Sequence, residues 1–184
     1  MNLEEVIKNL QKIAVEKDAK STKIISTKDV FVENWVRQKC EYGCRDFARH
    51  FTCPPYSPTP EETRKRLRGY KRALLVEFFR SKQKQQNMHG VMYDLEREAF
   101  LSGLYKAFSY VAGSCRICAN CPAEEVENPN EYSKRGCLYK KKARPSMEAC
   151  GIDVYQTARK AGYNIDVVKD ENECYRLFGL LLLE

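Results

Sequence analysis

The residues best suited to chemistry form a cysteine loop at C-x2-C-x2-C spacing, Cys115, Cys118 and Cys121, with Cys137 further along the chain. This spacing places three sulfurs on one tight loop, and a distant fourth cysteine can complete the ligand shell of a cubane. A structural zinc site more often uses two C-x2-C pairs, in which the middle Cys118 would have no role. The pattern therefore favours a [4Fe-4S] cluster, with zinc or no metal as the alternatives.

A second set of cysteines, Cys40, Cys44 and Cys53, has C-x3-C-x8-C spacing. Three thiolates would hold three irons of a cubane and leave the fourth open to water, a substrate or another ligand, so that the cluster could act as a Lewis acid. We expect Gly43 to permit a tight bend between Cys40 and Cys44. The pair Pro54-Pro55 is expected to keep the chain beyond Cys53 stiff and extended.

The sequence offers several candidates for a fourth ligand of this second set. His50 lies between Cys44 and Cys53, although a lone histidine in a basic, aromatic loop is more often a packing residue. Cys150 is another candidate, with a small buried thiol as the alternative. In two-cluster ferredoxins the distant cysteine ligates the other cluster, so Cys137 could also belong to this set.

Composition predicts a single globular domain over residues 1–184, because 43% hydrophobic residues are enough for a core. The N-terminus begins directly with an amphipathic helix pattern and lacks the pattern of a signal peptide. We therefore expect a reducing, cytoplasmic environment in which the nine cysteines stay free to bind metal. The apolar run over 177–183 is too short to span a bilayer, so no membrane association is expected.

The net charge of +7, from 32 basic and 25 acidic residues, is a modest excess. Deprotonated cysteine ligands give an oxidised cubane a charge of roughly −2, so one or two clusters would cancel much of it. A basic run follows Cys137 and could bind a redox partner protein, a small anionic substrate or, less favoured, nucleic acid. It could equally offset the cluster charge; its members are Lys140, Lys141, Lys142 and Arg144.

Periodicity predicts the elements that must position these loops. Helical patterns cover residues 3–14, 60–69, 89–111 and 145–162, with Thr59 as N-cap and Pro60 at the first turn of the second helix. The last of these would place free N–H groups beside Arg144 as an anion site. Extended patterns cover residues 23–26, 29–36, 71–79, 163–168 and 176–183, with a polar loop over 81–87 and a turn over 169–173. These elements predict an α/β fold, with α+β as the alternative, in which helices pack on a single mixed sheet and the cysteine loops lie at one edge.

Four stretches together resemble an uncharacterised prokaryotic family labelled "predicted metal-binding protein". They are residues 39–44 (KCEYGC), 53–58 (CPPYSP), 115–121 (C-x2-C-x2-C) and 143–154 (ARPSMEACGIDV). The resemblance implies metal binding by the seven cysteines of the two sets, with iron–sulfur as the expected form, in proteins frequent among anaerobes. It implies no particular reaction.

Three functions fit these patterns. The first is an iron–sulfur enzyme, such as an oxidoreductase, in which an electron-transfer cubane serves a second, substrate-binding cluster. The second is a non-catalytic electron carrier of anaerobic redox metabolism, and the third is a zinc- or RNA-binding module. Radical chemistry on S-adenosylmethionine is disfavoured because the C-x3-C-x2-C spacing is missing, and the sequence contains neither a phosphate-binding glycine motif nor a Ser/His/Asp set.

Overall fold

A computed structural model describes residues 2–80, 87–127, 136–170 and 174–184. Most of the predicted polar loop over 81–87 and part of the predicted turn over 169–173 lie outside the described residues. The helices of the described chain are α1 (Leu3–Glu16), α2 (Asn34–Gly43), α3 (Pro60–Leu67), α4 (Met88–Leu101) and α5 (Val154–Lys160). Its strands are β1 (Ser21–Ser26), β2 (Arg72–Arg80), β3 (Phe108–Tyr110) and β4 (Tyr175–Leu182).

The four strands form one sheet in the order β1-β2-β4-β3. All three ladders are antiparallel, with Ile24 opposite Leu74 in the first and Leu75 opposite Leu180 in the second. The expected single sheet with packed helices is confirmed, although its ladders are antiparallel and not mixed, and of the two fold classes left open the structure is α+β. Among the described helices, none combines the length and the apolar character that a bilayer span requires.

Both faces of the central strands are buried, which explains why their sequences are continuous apolar runs. Along β2, Leu74, Val76 and Phe78 point to a core layer shared with α1 and α4. The alternate residues Ala73 and Leu75 point to a second layer. That second layer is completed by the segment that carries the ARPSMEACGIDV motif and by α5, with Met147, Cys150, Ile152 and Ala158 as its buried members.

The predicted start of α3 is confirmed in detail. Thr59 caps the helix by accepting a hydrogen bond from the backbone N–H of Glu62, and Pro60 occupies the first turn. The Glu62 side chain in turn accepts from the backbone N–H of Thr59 at 2.8 Å, completing a capping box. This helix begins directly after the CPPYSP motif, so its cap fixes one end of the loop that carries Cys53.

Two predicted strands are wrong. Residues 29–36 begin with the last residue of the 3-10 turn Thr27–Asp29 and form a single bridge between Val32 and Ile152, and α2 begins at Asn34. Val32 and Val36 are both buried and lie four residues apart, a spacing that fits a helix as well as a short apolar strand. Residues 163–168 have no regular secondary structure, although Tyr163 and Ile165 pack against the second core layer.

Two predicted helices are shorter than expected. The helix predicted over 89–111 ends at Leu101, because Gly103 takes a left-handed φ of 99° just past the last turn, a common helix stop. The helix predicted over 145–162 is interrupted by Gly151 at φ 80°, and α5 starts only after Asp153, whose side chain accepts from the Gln156 N–H at 2.9 Å. Arg144 therefore does not lie at a helix N-terminus, and the predicted anion site there is wrong.

Candidate metal centre

The four cysteines of the first set line one narrow cavity. Cys115, Cys118, Cys121 and Cys137 share its walls with residues of the 50–52 segment. The thiols are near enough to affect one another, because Cys118, Cys121 and Cys137 all contribute to the raised pKa of Cys115, behind burial as the largest cause. The structure thus groups Cys137 with the C-x2-C-x2-C loop. The sequence alone also allowed Cys137 to belong to the Cys40 set.

Local backbone geometry brings the chain into and out of this loop. Two residues before Cys115, Gly113 has a left-handed φ of 69°, a conformation that favours glycine. Beyond Cys121 the chain forms a 3-10 turn that begins at Pro122, and the Glu124 N–H donates to the Cys121 carbonyl at 3.0 Å. Buried Ala123 anchors this turn, so the exit from the loop is held against the protein.

The second set is also brought together. Cys40 lies on α2, Cys44 follows the last helical residue, and buried Cys53 lies in the loop before α3. Burial, followed by the neighbouring Cys44, raises the pKa of Cys40 to about 11. Burial and the same neighbour raise the pKa of Cys53 to about 12. Because Cys44 affects both of the other thiols, the three cysteines form a second group.

Two local expectations for this set are wrong. Gly43 is the last residue of α2, with no positive φ, and a Cβ there would meet no atom within 4 Å, so no glycine is needed for a bend. The chain beyond Cys53 turns back and is not extended. The Pro54–Pro55 peptide bond is cis, and the Ser57 N–H donates to the Cys53 carbonyl at 3.0 Å.

The two cysteine groups adjoin through Asp46 and the 50–53 segment. Asp46 accepts from the Ser114 hydroxyl at 2.7 Å and from Arg116 at 2.8 Å, which joins the loop between Cys44 and Cys53 to the loop that carries Cys115. Although burial opposes the shift, these contacts hold the pKa of the Asp46 carboxyl below its ordinary value. The sequence contains no motif that marks Asp46 for this role.

His50 occupies the boundary between the groups. It is buried, lines the cavity of the four-cysteine set, and places its Nε2 3.8 Å from an Asp46 carboxylate oxygen. Burial is the main cause of its lowered pKa. The next residues, Phe51 and Thr52, line the same cavity, while Cys53 belongs to the other group. A single short segment therefore forms part of both centres.

A third element, the 3-10 turn at Glu148–Cys150, packs against α2 beside the Cys40 group. Its Ala149 carbonyl accepts from Arg37 on α2 at 3.0 Å and from the Ser57 hydroxyl at 2.7 Å. Burial raises the pKa of the adjacent Glu148, and its Oε2 is buried with no hydrogen-bond partner among the described residues. Glu148 lies within the ARPSMEACGIDV motif, but nothing in the sequence separates it from an ordinary helix residue.

The remaining basic and cysteine residues do not line the four-cysteine cavity. Arg144 is mostly buried and pairs with both carboxylate oxygens of Glu96, so it is not available to an external anion. Lys140, Lys141 and Lys142 are exposed. Cys150 is fully buried in the second core layer, where a small packing thiol was the expected alternative to a ligand. Cys174 is exposed at the start of β4.

The chemistry of the donor sets fits a metal centre. Thiolates are the ligands that iron–sulfur clusters and zinc share, and four of them surround the first cavity. Among the described residues, no three His, Cys, Asp or Glu side chains form a closed ligand set around one ion. The raised thiol pKa values mean that metal binding at these cysteines must displace protons.

The fold and the site together define an α+β protein with two adjoining groups of cysteines suited to metal binding. The chain belongs to the family described as "Predicted metal-binding protein" (DUF2284), which matches residues 23–183. The resemblance noted in the sequence is thereby confirmed. No curated protein and no solved structure matches the chain.

Proposed function

We propose that this protein is an iron–sulfur redox protein with a [4Fe-4S] electron-transfer cluster held by Cys115, Cys118, Cys121 and Cys137. The observation that carries the proposal is the single cavity lined by all four cysteines. A C-x2-C-x2-C loop with a distant fourth cysteine supplies one thiolate to each corner of a cubane. Buried walls from the 50–52 segment would limit the access of solvent to such a cluster.

The second group supports a further centre held by Cys40, Cys44 and Cys53. A cubane with three thiolates has one iron open to exchange, and such a cluster can bind a substrate as a Lewis acid. Cys44 is exposed while Cys53 is buried, so one side of this group faces solvent. We infer that this exposed side is where an external ligand would approach.

The shared segment supports electron exchange between the two centres. Phe51 and Thr52 belong to the wall of the four-cysteine cavity, and Cys53 follows them directly. Asp46 fixes the relative position of the two loops through Ser114 and Arg116. In this arrangement the four-cysteine centre supplies electrons to the three-cysteine centre, which is the site of chemistry.

A redox partner would bind over the surface beside Cys137. Leu138 and Tyr139 are exposed large hydrophobic residues, and three exposed lysines follow them. An apolar patch bordered by cations suits an acidic partner protein, because complementary charge accelerates encounter. We place this exchange in the reducing cytoplasm, where nine cysteines outside disulfides are compatible with metal binding.

The test is anaerobic purification followed by iron, acid-labile sulfide and zinc analysis and EPR spectroscopy of the reduced protein. We expect about eight irons per chain for two clusters. The variant Cys53→Ser should lose one cluster and keep the other, while the matched control Cys174→Ser should keep both. Stoichiometric zinc without sulfide would refute the proposal and favour a zinc module. About four irons, unchanged by Cys53→Ser, would leave only a single-cluster electron carrier.

A further inference from the structure

The element that packs beside the three-cysteine group carries a carboxylate that the fold does not satisfy. Burial raises the pKa of Glu148, and the nearby Ser146 side chain and Gly113 backbone oppose that rise. The Oε2 of Glu148 is nevertheless buried without a hydrogen-bond partner in the described structure. An unsatisfied buried polar atom of this kind destabilises the fold, so it calls for a functional explanation.

Two hydrogen bonds to the carbonyl of Ala149, the residue after Glu148, join this turn to the elements that carry the cysteines. Arg37 lies one helical turn before Cys40 on α2 and donates to the Ala149 carbonyl. Ser57, whose N–H is bonded to the Cys53 carbonyl, donates its hydroxyl to the same oxygen. The residue after Glu148 is therefore fixed by both of the elements that carry Cys40 and Cys53.

The electrostatics agree with this placement. Glu148 is among the groups that raise the pKa of Cys40, after burial and Cys44. The exposed Glu41 on α2 also contributes but ranks below it. The Glu148 carboxyl, whose Oε2 is buried, therefore lies close enough to the Cys40 thiol to affect its pKa, as does the exposed Glu41.

We propose that the Glu148 carboxylate is the fourth protein ligand of the three-cysteine centre and binds the iron that Cys40, Cys44 and Cys53 leave without a thiolate. The inference rests on the proposed second cluster. A carboxylate oxygen is a harder and more readily exchanged ligand than a thiolate. On binding, the carboxylic acid would release its proton to solvent and the carboxylate would replace a water molecule at the open iron, so the orphaned oxygen would gain a partner. A substrate with an oxygen or nitrogen donor could then replace Glu148 at that iron.

The test compares Glu148→Gln with the wild type and with the matched control Glu41→Gln, each reconstituted anaerobically with iron and sulfide. Glutamine keeps the shape and the hydrogen-bonding capacity of glutamate but removes the anionic ligand. After mild oxidation with ferricyanide, we expect Glu148→Gln to lose one iron at least about tenfold faster than the other two proteins. The EPR signal of a three-iron cluster should rise in parallel. Circular dichroism checks the fold, and Glu148→Asp, whose side chain is one methylene shorter, should behave like the glutamine variant.

The outcomes separate this inference from the proposed function. Eight irons in the wild type with equal iron loss from all variants would overturn the role of Glu148 and leave the two-cluster proposal standing. A wild type with about four irons that Cys53→Ser does not change would overturn both. Glu148→Gln could also lose the second cluster completely. If that variant is folded and the Glu41→Gln control retains the cluster, this result would support the inference.

Discussion

The ion pair between Glu96 and Arg144 should be the most stability-sensitive polar contact of the fold. Arg144 donates from Nε to one carboxylate oxygen at 2.7 Å and from a terminal nitrogen to the other, and both side chains are only 13% exposed. Glu96 also accepts from the backbone N–H of Ser109 at 2.8 Å and from its hydroxyl at 2.7 Å. This one carboxylate thereby joins α4, β3 and the segment that leads to Glu148.

Glu96→Ala would leave a buried guanidinium and two Ser109 donors without their acceptor. Breaking one partner of a buried pair costs about 3–5 kcal/mol. For a chain of this size each kcal/mol corresponds to about 2–4 °C, so the melting temperature should fall by about 6–20 °C. Asp94 on the same helix is the matched control, because its pair with Lys17 is 45% exposed on both sides. Exposed pairs contribute about 0–1 kcal/mol, so Asp94→Ala should cost at most about 4 °C.

The assay is thermal unfolding of both variants and the wild type, followed by circular dichroism in the same metal state, because bound metal itself shifts stability. A double variant, Glu96→Leu with Arg144→Met, should be more stable than Glu96→Ala, since removing both charges leaves neither one buried alone. Equal losses for Glu96→Ala and Asp94→Ala would refute the reasoning.

Two further predictions concern the backbone and the thiols of the site. Gly151→Ala should destabilise the protein by about 1–3 kcal/mol, because Gly151 has a φ of 80° and a Cβ there would come within 2.8 Å of a Pro60 carbon. The control Gly43→Ala lies in a helix with open space around it and should be neutral or stabilising by up to about 1 kcal/mol. Chemical denaturation measures both free energies of unfolding, and the reverse ranking of the two variants would contradict this prediction. In the metal-free protein, burial raises the pKa of Cys53 to about 12, so iodoacetamide should alkylate Cys53 far more slowly than the exposed Cys44 at pH 8. The alkylation rate of Cys53 should keep rising up to about pH 12. Peptide mapping by mass spectrometry measures both rates, and equal rates at pH 8 would exclude this prediction.

The sequence was informative wherever a pattern is local. The C-x2-C-x2-C loop, the Thr59 cap with Pro60, and the apolar runs that became β2 and β4 are all set by residues close together in the chain. The errors occurred where a short apolar run fits two periods, as at 29–36, and where glycines stop a helix early, as at Gly103 and Gly151.

For the candidate site too, local patterns were predicted from the sequence, whereas contacts between distant residues were not. Residue spacing predicted two sets of cysteines, because the sulfur ligands of one cluster are often neighbours in the chain. Tertiary packing decided that Cys137 shares a cavity with Cys115, and that Asp46 joins the two loops. Contacts between residues tens of positions apart depend on how the sheet and helices pack, and no local pattern encodes them.

Two features show most clearly what only the tertiary structure decided. Arg144 appears in the sequence as part of a basic run open to anions, yet packing places it against Glu96 and satisfies its charge. Glu148 appears as an ordinary helix residue, yet packing buries its Oε2 beside the Cys40 group. The sequence by itself determined which thiols could bind metal, because ligand chemistry belongs to residue types and spacing. The three-dimensional fold determined which charged groups face those thiols, because burial and proximity arise only when distant segments pack together.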